Sequence, residues 1–345
     1  MAPTMFMILC GGKGQRLWPI SRQGLPKQFV SLNNQKTLLE ATANRLKPLM
    51  SADDQLGLVT SREYFQPIHQ LLGDSVGTYV IEPTGKNTAP AILLACLQIA
   101  DEQTGDPVIV FTPSDHYIKE QDIFEETLKK TIEYAENYGD ICLVGVKPQG
   151  ISTSYGYIMA HEKHVPNIPT HIDRFIEKPP HEVAAILTSS PYALWNCGIF
   201  VARASVFLKA FKEASPTLFE QVSAFRAGKL EYSQLKACPF DTTVTEKISN
   251  RVAFPTTITW RDLGDLESFV HYTHQAGPDI NLNNISLHGD NNIALSKKKM
   301  VAFLGVSNLC VIETDDIILI KQRGDSDSIK DLIGTLENQG MESLL

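Results

Sequence analysis

Residues 5–14 read Met5-Phe6-Met7-Ile8-Leu9-Cys10-Gly11-Gly12-Lys13-Gly14. Six apolar residues in a row, with no polar alternation, read as a strand covered on both faces, and the glycines after them end it in a tight turn. Further short apolar or β-branched runs follow at 55–60, 78–81, 107–112, 140–146, 171–176, 195–202 and 251–258. Between them lie helical patterns at 37–46, 62–72, 88–101, 123–137, 181–188, 204–214 and 217–227. This alternation implies an α/β fold built on an open, mostly parallel sheet with helices on both faces. Ligands of such sheets gather where loops leave the carboxyl ends of strands, here after residues 10, 81, 112, 176 and 258.

After about residue 277 the pattern changes. Asn and Gly become dense, and short strands at 292–296, 301–306, 310–314 and 317–321 follow one another with no helix between them. A small all-β unit is expected, closed by a helix whose Ile329, Leu332, Ile333 and Leu336 form one apolar stripe. The expected domains are therefore residues 1–277 and 278–345.

The 345 residues carry 31 Lys and Arg against 39 Asp and Glu, a net charge of −8. That balance argues against nucleic acid or an anionic membrane as a partner, since both need a basic field. One local basic pocket for a phosphorylated ligand stays compatible with it. The six cysteines form no CxxC pair, which removes zinc-ribbon and thioredoxin readings and fits reduced thiols in a cytoplasmic protein. The opening apolar run lacks a basic flank and is too short for a signal core or a membrane span.

The first loop continues Gln15-Arg16-Leu17-Trp18-Pro19-Ile20-Ser21 and reaches Pro26-Lys27-Gln28-Phe29. Glycines directly after a strand let backbone N–H groups converge on an anion, and Lys13, Arg16 and Lys27 add charge from the side. A tight turn with solvated cations is the plain alternative. Two phosphate motifs fail here: no GxxxxGK[ST] is present, and the third glycine of GxGxxG is replaced by Leu17.

Gly11-Gly12-x-Gly14-x-Arg16-Leu17-Trp18-Pro19-x-Ser21 with Pro26-Lys27-Gln28-Phe29 resembles the signature of the sugar nucleotidyltransferases, and among them the mannose-1-phosphate guanylyltransferases. The resemblance implies a nucleotidyltransferase Rossmann-like fold with a partial β-helix after it. It also implies that Gly11, Gly12 and Gly14 wrap a nucleoside triphosphate while Arg16 and Lys27 hold its phosphates.

Further motifs match in order along the chain. Glu82-Pro83-Thr84-Gly85-Lys86-Asn87-Thr88-Ala89-Pro90-Ala91 resembles the family's nucleotide motif EPxGRNTAPA, with Lys86 in place of arginine. It implies nucleotide contacts for Glu82, Gly85, Asn87 and Thr88, Glu82 or backbone carbonyls accepting from guanine; read alone, the stretch is a turn in which Thr88 caps a helix. Pro113-Ser114-Asp115-His116 and Trp260-Arg261-Asp262-Leu263-Gly264 resemble the two acidic motifs of the family, making Asp115 and Asp262 the implied Mg²⁺ ligands. Mg²⁺ takes one or two carboxylates and completes its shell with phosphates and water, which suits two aspartates 147 residues apart that only a fold could unite. Read alone, Asp115 is a helix cap.

Gly156 in Tyr155-Gly156-Tyr157, Glu177 and Lys178 in Phe175-Ile176-Glu177-Lys178-Pro179, and Asn196 in Trp195-Asn196-Cys197-Gly198 match the family's sugar-binding motifs. Glu177 and Asn196 would bond sugar hydroxyls and Lys178 would meet the sugar phosphate; singly, Glu177-Lys178 is a solvated pair. Cys197 replaces a serine of the family pattern. The stretch His161-Glu162-Lys163-His164 lacks the spacing of a metal helix and is expected to be an exposed turn.

The resemblance implies the reaction α-D-mannose 1-phosphate + GTP → GDP-mannose + diphosphate, Mg²⁺-assisted, in a cytoplasmic homodimer. Other sugar phosphates or nucleotides, and a non-catalytic sugar-nucleotide-binding relative, are the alternatives. Some family members carry a further phosphomannose isomerase domain, and no such site is expected within these 345 residues.

Overall fold

The computed structural model describes residues 3–12, 14–31, 36–103, 105–275, 284–296, 299–325 and 328–345. Lys13 and the expected 277/278 boundary lie outside them. The chain forms two compact units: residues 1–11, 42–114 and 118–260, and residues 12–41, 115–117 and 261–345.

The first unit is built on a sheet of nine strands: β1 (Met5–Cys10), β2 (Gln55–Ser61), β3 (Thr78–Glu82), β4 (Val108–Pro113), β6 (Ile141–Val146), β7 (Tyr157–Ala160), β8 (Thr170–Ile176), β9 (Ala193–Arg203) and β10 (Arg251–Thr256). Two short strands, β5 (His116–Ile118) and β11 (Trp260–Asp262), pair separately. The order is β3-β2-β1-β4-β9-β6-β10-β8-β7. Parallel pairing joins β1 to β2 and β4, β2 to β3, and β6 to β10. The long β9 runs antiparallel between β4 and β6, and β8 is antiparallel to both β10 and β7. Hence β1–β4 and β6 present their carboxyl ends on one edge, the position from which ligand loops leave.

Helices α1 (Leu38–Leu46), α2 (Arg62–Leu72), α3 (Thr88–Glu102), α4 (Gln121–Asn137), α5 (His181–Thr188), α6 (Ala204–Ala214) and α7 (Pro216–Arg226) lie between these strands in the chain. The core explains the sequence pattern. Met5, Met7, Ile109, Phe111, Leu143 and Phe200 are buried together with Ile92, Leu93 and Cys96 of α3, a helix apolar nearly all round.

In the second unit the stretch after the glycine turn packs on its C-terminal part. Leu17, Trp18 and Val30 share one core with Leu266, Phe269 and Val270 of α8 (Leu266–Gln275), with Cys310, Ile312 and Leu319, and with Ile329 and Ile333 of α9 (Ser328–Asn338). Trp18 Nε1 donates to the Leu344 carbonyl at 2.8 Å. The strands here are β12 (Asn284–Leu287), β13 (Ile293–Leu295), β14 (Val301–Leu304), β15 (Leu309–Glu313) and β16 (Ile318–Gln322). Both parallel pairs have the same offset: Asn284 lies opposite Val301 and Ile293 opposite Cys310, each 17 residues further on. Asn291 Nδ2 donates to Asn308 Oδ1 and Leu309 N to Asn292 Oδ1 at that same spacing. A constant offset between stacked parallel strands is the mark of a partial β-helix.

Candidate active site

The second unit gathers the acidic and basic residues of the glycine loop and the two aspartate motifs. Gly14 adopts φ +65°, and a Cβ there would lie 2.6 Å from Lys27 Cβ and 2.9 Å from Lys27 N. Only glycine allows this left-handed bend and this approach. Ser21 Oγ donates to the Gly14 carbonyl at 2.6 Å and fixes the turn. The pairing of β5 with β11 then brings Asp115, just before β5, towards Asp262 at the end of β11.

One ligand atom from each of Asp115, His116 and Asp262 lies within 4.8 Å of the others. Lys27 Nζ stands 2.8 Å from Asp115 Oδ2 and 3.0 Å from Asp262 Oδ1. Burial opposes the Lys27 charge, but the two aspartates outweigh it and raise its pKa. Burial likewise pushes the Asp262 carboxyl up, yet Lys27, His116 and Arg16 together hold it well below the usual carboxylate range. Arg16 is a close neighbour, since a Cβ on Gly264 would lie 3.1 Å from Asp262 Oδ2 and 3.4 Å from Arg16 Nη2. The two carboxylates are hard, anionic oxygen donors of the kind that fit a divalent cation such as Mg²⁺, while the adjacent imidazole is a softer nitrogen donor.

In the first unit the loops after β1 and β3 adjoin. A Cβ on Gly85 would lie 3.5 Å from the Gly11 carbonyl, and one on Gly11 would lie 3.9 Å from Glu82 Oε2. Glu82 is only 3% exposed and accepts a 2.6 Å hydrogen bond from Tyr232 Oη. Burial pushes its carboxyl up to about 7. Asn87, at φ +67°, caps α3 by accepting from Thr88 N at 2.8 Å, so the cap is Asn87 and not Thr88. Thr88 Oγ1 instead accepts from Phe240 N at 2.8 Å. Lys86 Nζ donates to the Ser233 carbonyl at 2.6 Å, a further tie between this loop and residues 232–240.

Gly156, Glu177 and Asn196 meet at the level of the carboxyl end of β6. Tyr157 pairs with both Ile176 and Trp195, while Asn196 lies opposite Gly145. A Cβ on Gly156 would be 2.6 Å from Glu177 Oε2 and 2.8 Å from Phe175 Cζ, so glycine is what leaves room for this carboxylate. Lys178, at φ +45°, places Nζ 2.6 Å from Glu177 Oε1. Asn196 donates from Nδ2 to Asp241 Oδ1 at 2.9 Å and accepts from Gly198 N at 3.1 Å.

Asp241 and Glu246 were not singled out in the sequence. Asp241 opens a π-helical turn, Asp241–Thr245, within no periodic run, and burial with the nearby Glu177 charge pushes its carboxyl up to about 7. Glu246 Oε1 accepts from Glu177 N at 3.1 Å. The stretch around His161 is exposed, with Nδ1 of His161 2.9 Å from Asp173 Oδ1. No disulfide joins any of the six cysteines. Among the described residues no helix is long and apolar enough to cross a membrane.

Comparison with known proteins adds two family matches. Residues 5–277 match the family described as Nucleotidyl transferase, and residues 282–336 match the MannoseP isomerase/GMP-like beta-helix domain. The chain is 30% identical to the mannose-1-phosphate guanylyltransferase 2 of Escherichia coli O157:H7, covering 98% of this chain and 74% of that protein. It is 31% identical to the xanthan biosynthesis protein XanB of Xanthomonas campestris pv. campestris, covering 99% and 74%. A crystal structure from Thermus thermophilus, titled mannose-1-phosphate geranyltransferase, superposes with a TM-score of 0.82 at 27% identity over 97% of this chain and 99% of that one. By the match over residues 5–277 and the likeness along nearly its whole length to relatives named mannose-1-phosphate guanylyltransferases, the chain belongs to the nucleotidyl transferase family and is an enzyme of nucleotidyl transfer.

Proposed function

We propose that the enzyme makes GDP-mannose and diphosphate from GTP and α-D-mannose 1-phosphate. An oxygen of the sugar phosphate attacks the α-phosphorus of GTP. A P–O bond forms there as the bond to the β-bridging oxygen breaks, and diphosphate leaves with that electron pair. The observation that carries the reading is the approach of Asp115 and Asp262 to each other around Lys27 Nζ. The names of the relatives support mannose and guanine as the specific groups.

A sugar phosphate oxygen is already anionic near neutral pH, so the reaction asks for no activated serine, cysteine or general base. Its barrier is lowered by positioning and by charge. Arg16 and Lys27 bind triphosphate oxygens, and backbone N–H groups of Gly11, Gly12 and Gly14 also donate to the nucleotide. Glu82, Gly85, Asn87 and Thr88 shape the loop that takes the base and ribose, Glu82 and Thr88 by anchoring it. Gly156, Glu177 and Asn196 orient the sugar, and Lys178 neutralises its phosphate. Magnesium held by Asp115 and Asp262 would draw the phosphates into line and offset their charge.

The reading places the enzyme in the cytoplasm and expects a homodimer, which sedimentation would show. A panel of sugar 1-phosphates and nucleoside triphosphates, assayed for diphosphate, tests the substrates. GTP with mannose 1-phosphate should be fastest; a preference for another pair would overturn the specificity.

A further inference from the structure

The ammonium of Lys27 occupies the oxygens that a divalent cation would need. It lies 2.8 Å from Asp115 Oδ2 and 3.0 Å from Asp262 Oδ1, and its side chain is 9% exposed against 28% and 29% for the two aspartates. The root of this lysine is fixed, because its N and Cβ pack on Gly14. Its four-carbon stem remains a flexible arm. A metal bonded to both carboxylates at about 2.1 Å would bring its double charge to the place the ammonium holds, and like charges that close repel.

We infer that Lys27 is an exchangeable counter-ion of the metal site: it neutralises the Asp115–Asp262 pair before metal arrives, and gives up both carboxylates when a divalent cation enters. This rests on the proposed reading of Asp115 and Asp262 as metal ligands, and it extends that reading to the order of events. The charge freed from the aspartates is then available to an anion, and Lys27 is one of two cations assigned to the triphosphate. Metal entry and polyphosphate binding are thereby coupled through one side chain, in addition to any direct bond between metal and phosphate. Lys27 Nζ bridges the two carboxylates, and a ring nitrogen of His116 lies within 4.8 Å of an oxygen of each.

Mn²⁺ serves as the probe, its binding to nucleotide-free protein followed by the loss of the free-ion electron spin resonance signal. Lys27→Met should bind Mn²⁺ about tenfold or more tightly than wild type, because the competing ammonium is gone. Equal or weaker binding by a folded Lys27→Met would overturn the exchange. Asp262→Asn, measured alongside, should lose Mn²⁺ binding; if it does not, the metal-site reading itself fails, which separates the two ideas. A second measurement uses wild type alone. Amine-directed reductive methylation, read by peptide mass spectrometry, should label Lys27 poorly without metal and several-fold more on adding Mn²⁺, and unchanged labelling would contradict its release.

Discussion

Glu82 and Tyr232, 150 residues apart, share a 2.6 Å hydrogen bond in the interior of the first unit. The bond joins the end of β3 to the segment before Asp241, and in the loop and helix that follow Lys86, Thr88 and Ala89 add hydrogen bonds to Ser233, Phe240 and Cys238. Removing the phenol leaves a buried carboxylate with less support. Tyr232→Phe should cost about 1–3 kcal/mol at pH 8, read as a lower melting temperature, and should weaken nucleotide binding. Unchanged melting would show that the bond does not hold the loop.

The same carboxyl predicts a pH dependence. Burial lifts Glu82 to about 7 from a reference of 4.5, so between those values the folded state holds a proton that the unfolded chain has lost. Its stabilising contribution is full below about pH 4.5 and disappears as pH rises through about 7. Asp241, also pushed up to about 7 by burial and Glu177, acts in the same direction. Calorimetry should find that Glu82→Gln flattens the decline in stability between about pH 4.5 and 7 by up to about 3 kcal/mol. An identical pH slope in the variant would contradict the shift.

Gly156 is a test of the proposed sugar side. A methyl group there meets Glu177 Oε2 at 2.6 Å and Phe175 Cζ at 2.8 Å, so Glu177 must move. Gly156→Ala should raise KM for the sugar phosphate about tenfold or more while leaving KM for the nucleotide within about twofold, at a stability cost of roughly 1–3 kcal/mol. Equal effects on both substrates would argue against a sugar-side role.

The coils of the β-helix are tied by asparagine. Asn292 accepts from Leu309 N at 2.9 Å and donates to the Val306 carbonyl at 2.8 Å. Asn292→Ala should lower the denaturation midpoint by an amount equivalent to about 1–2 kcal/mol, with little change in substrate KM. A variant as stable as wild type would show that these side chains are dispensable.

Much of the fold was legible because burial on both faces leaves a simple trace. The apolar runs at β1, β2, β4 and β6 and the stripe of α9 lie where the sequence placed them. Direction was not legible, since β9 reads as the same kind of buried run whether it pairs parallel or antiparallel. Four-residue β7 and α8 were missed, the first because it hid within a motif and the second because it follows directly on another. The 17-residue offset leaves no sequence repeat over so few coils. The union of Asp115 with Asp262 came from motif likeness, as no spacing rule can join residues so far apart. Asp241 was invisible because its part depends on Asn196, a partner that only the folded sheet supplies.

The claim on which the function turns is that Asp115 and Asp262 hold the ion that serves guanylyl transfer. Diphosphate released from GTP, α-D-mannose 1-phosphate and Mg²⁺ should be measured for wild type and Asp262→Asn side by side, with folding of both checked by circular dichroism. The expected result is release that requires both substrates and falls about 10²-fold or more in the variant. Near wild-type release by a folded Asp262→Asn, or none by wild type, would contradict it.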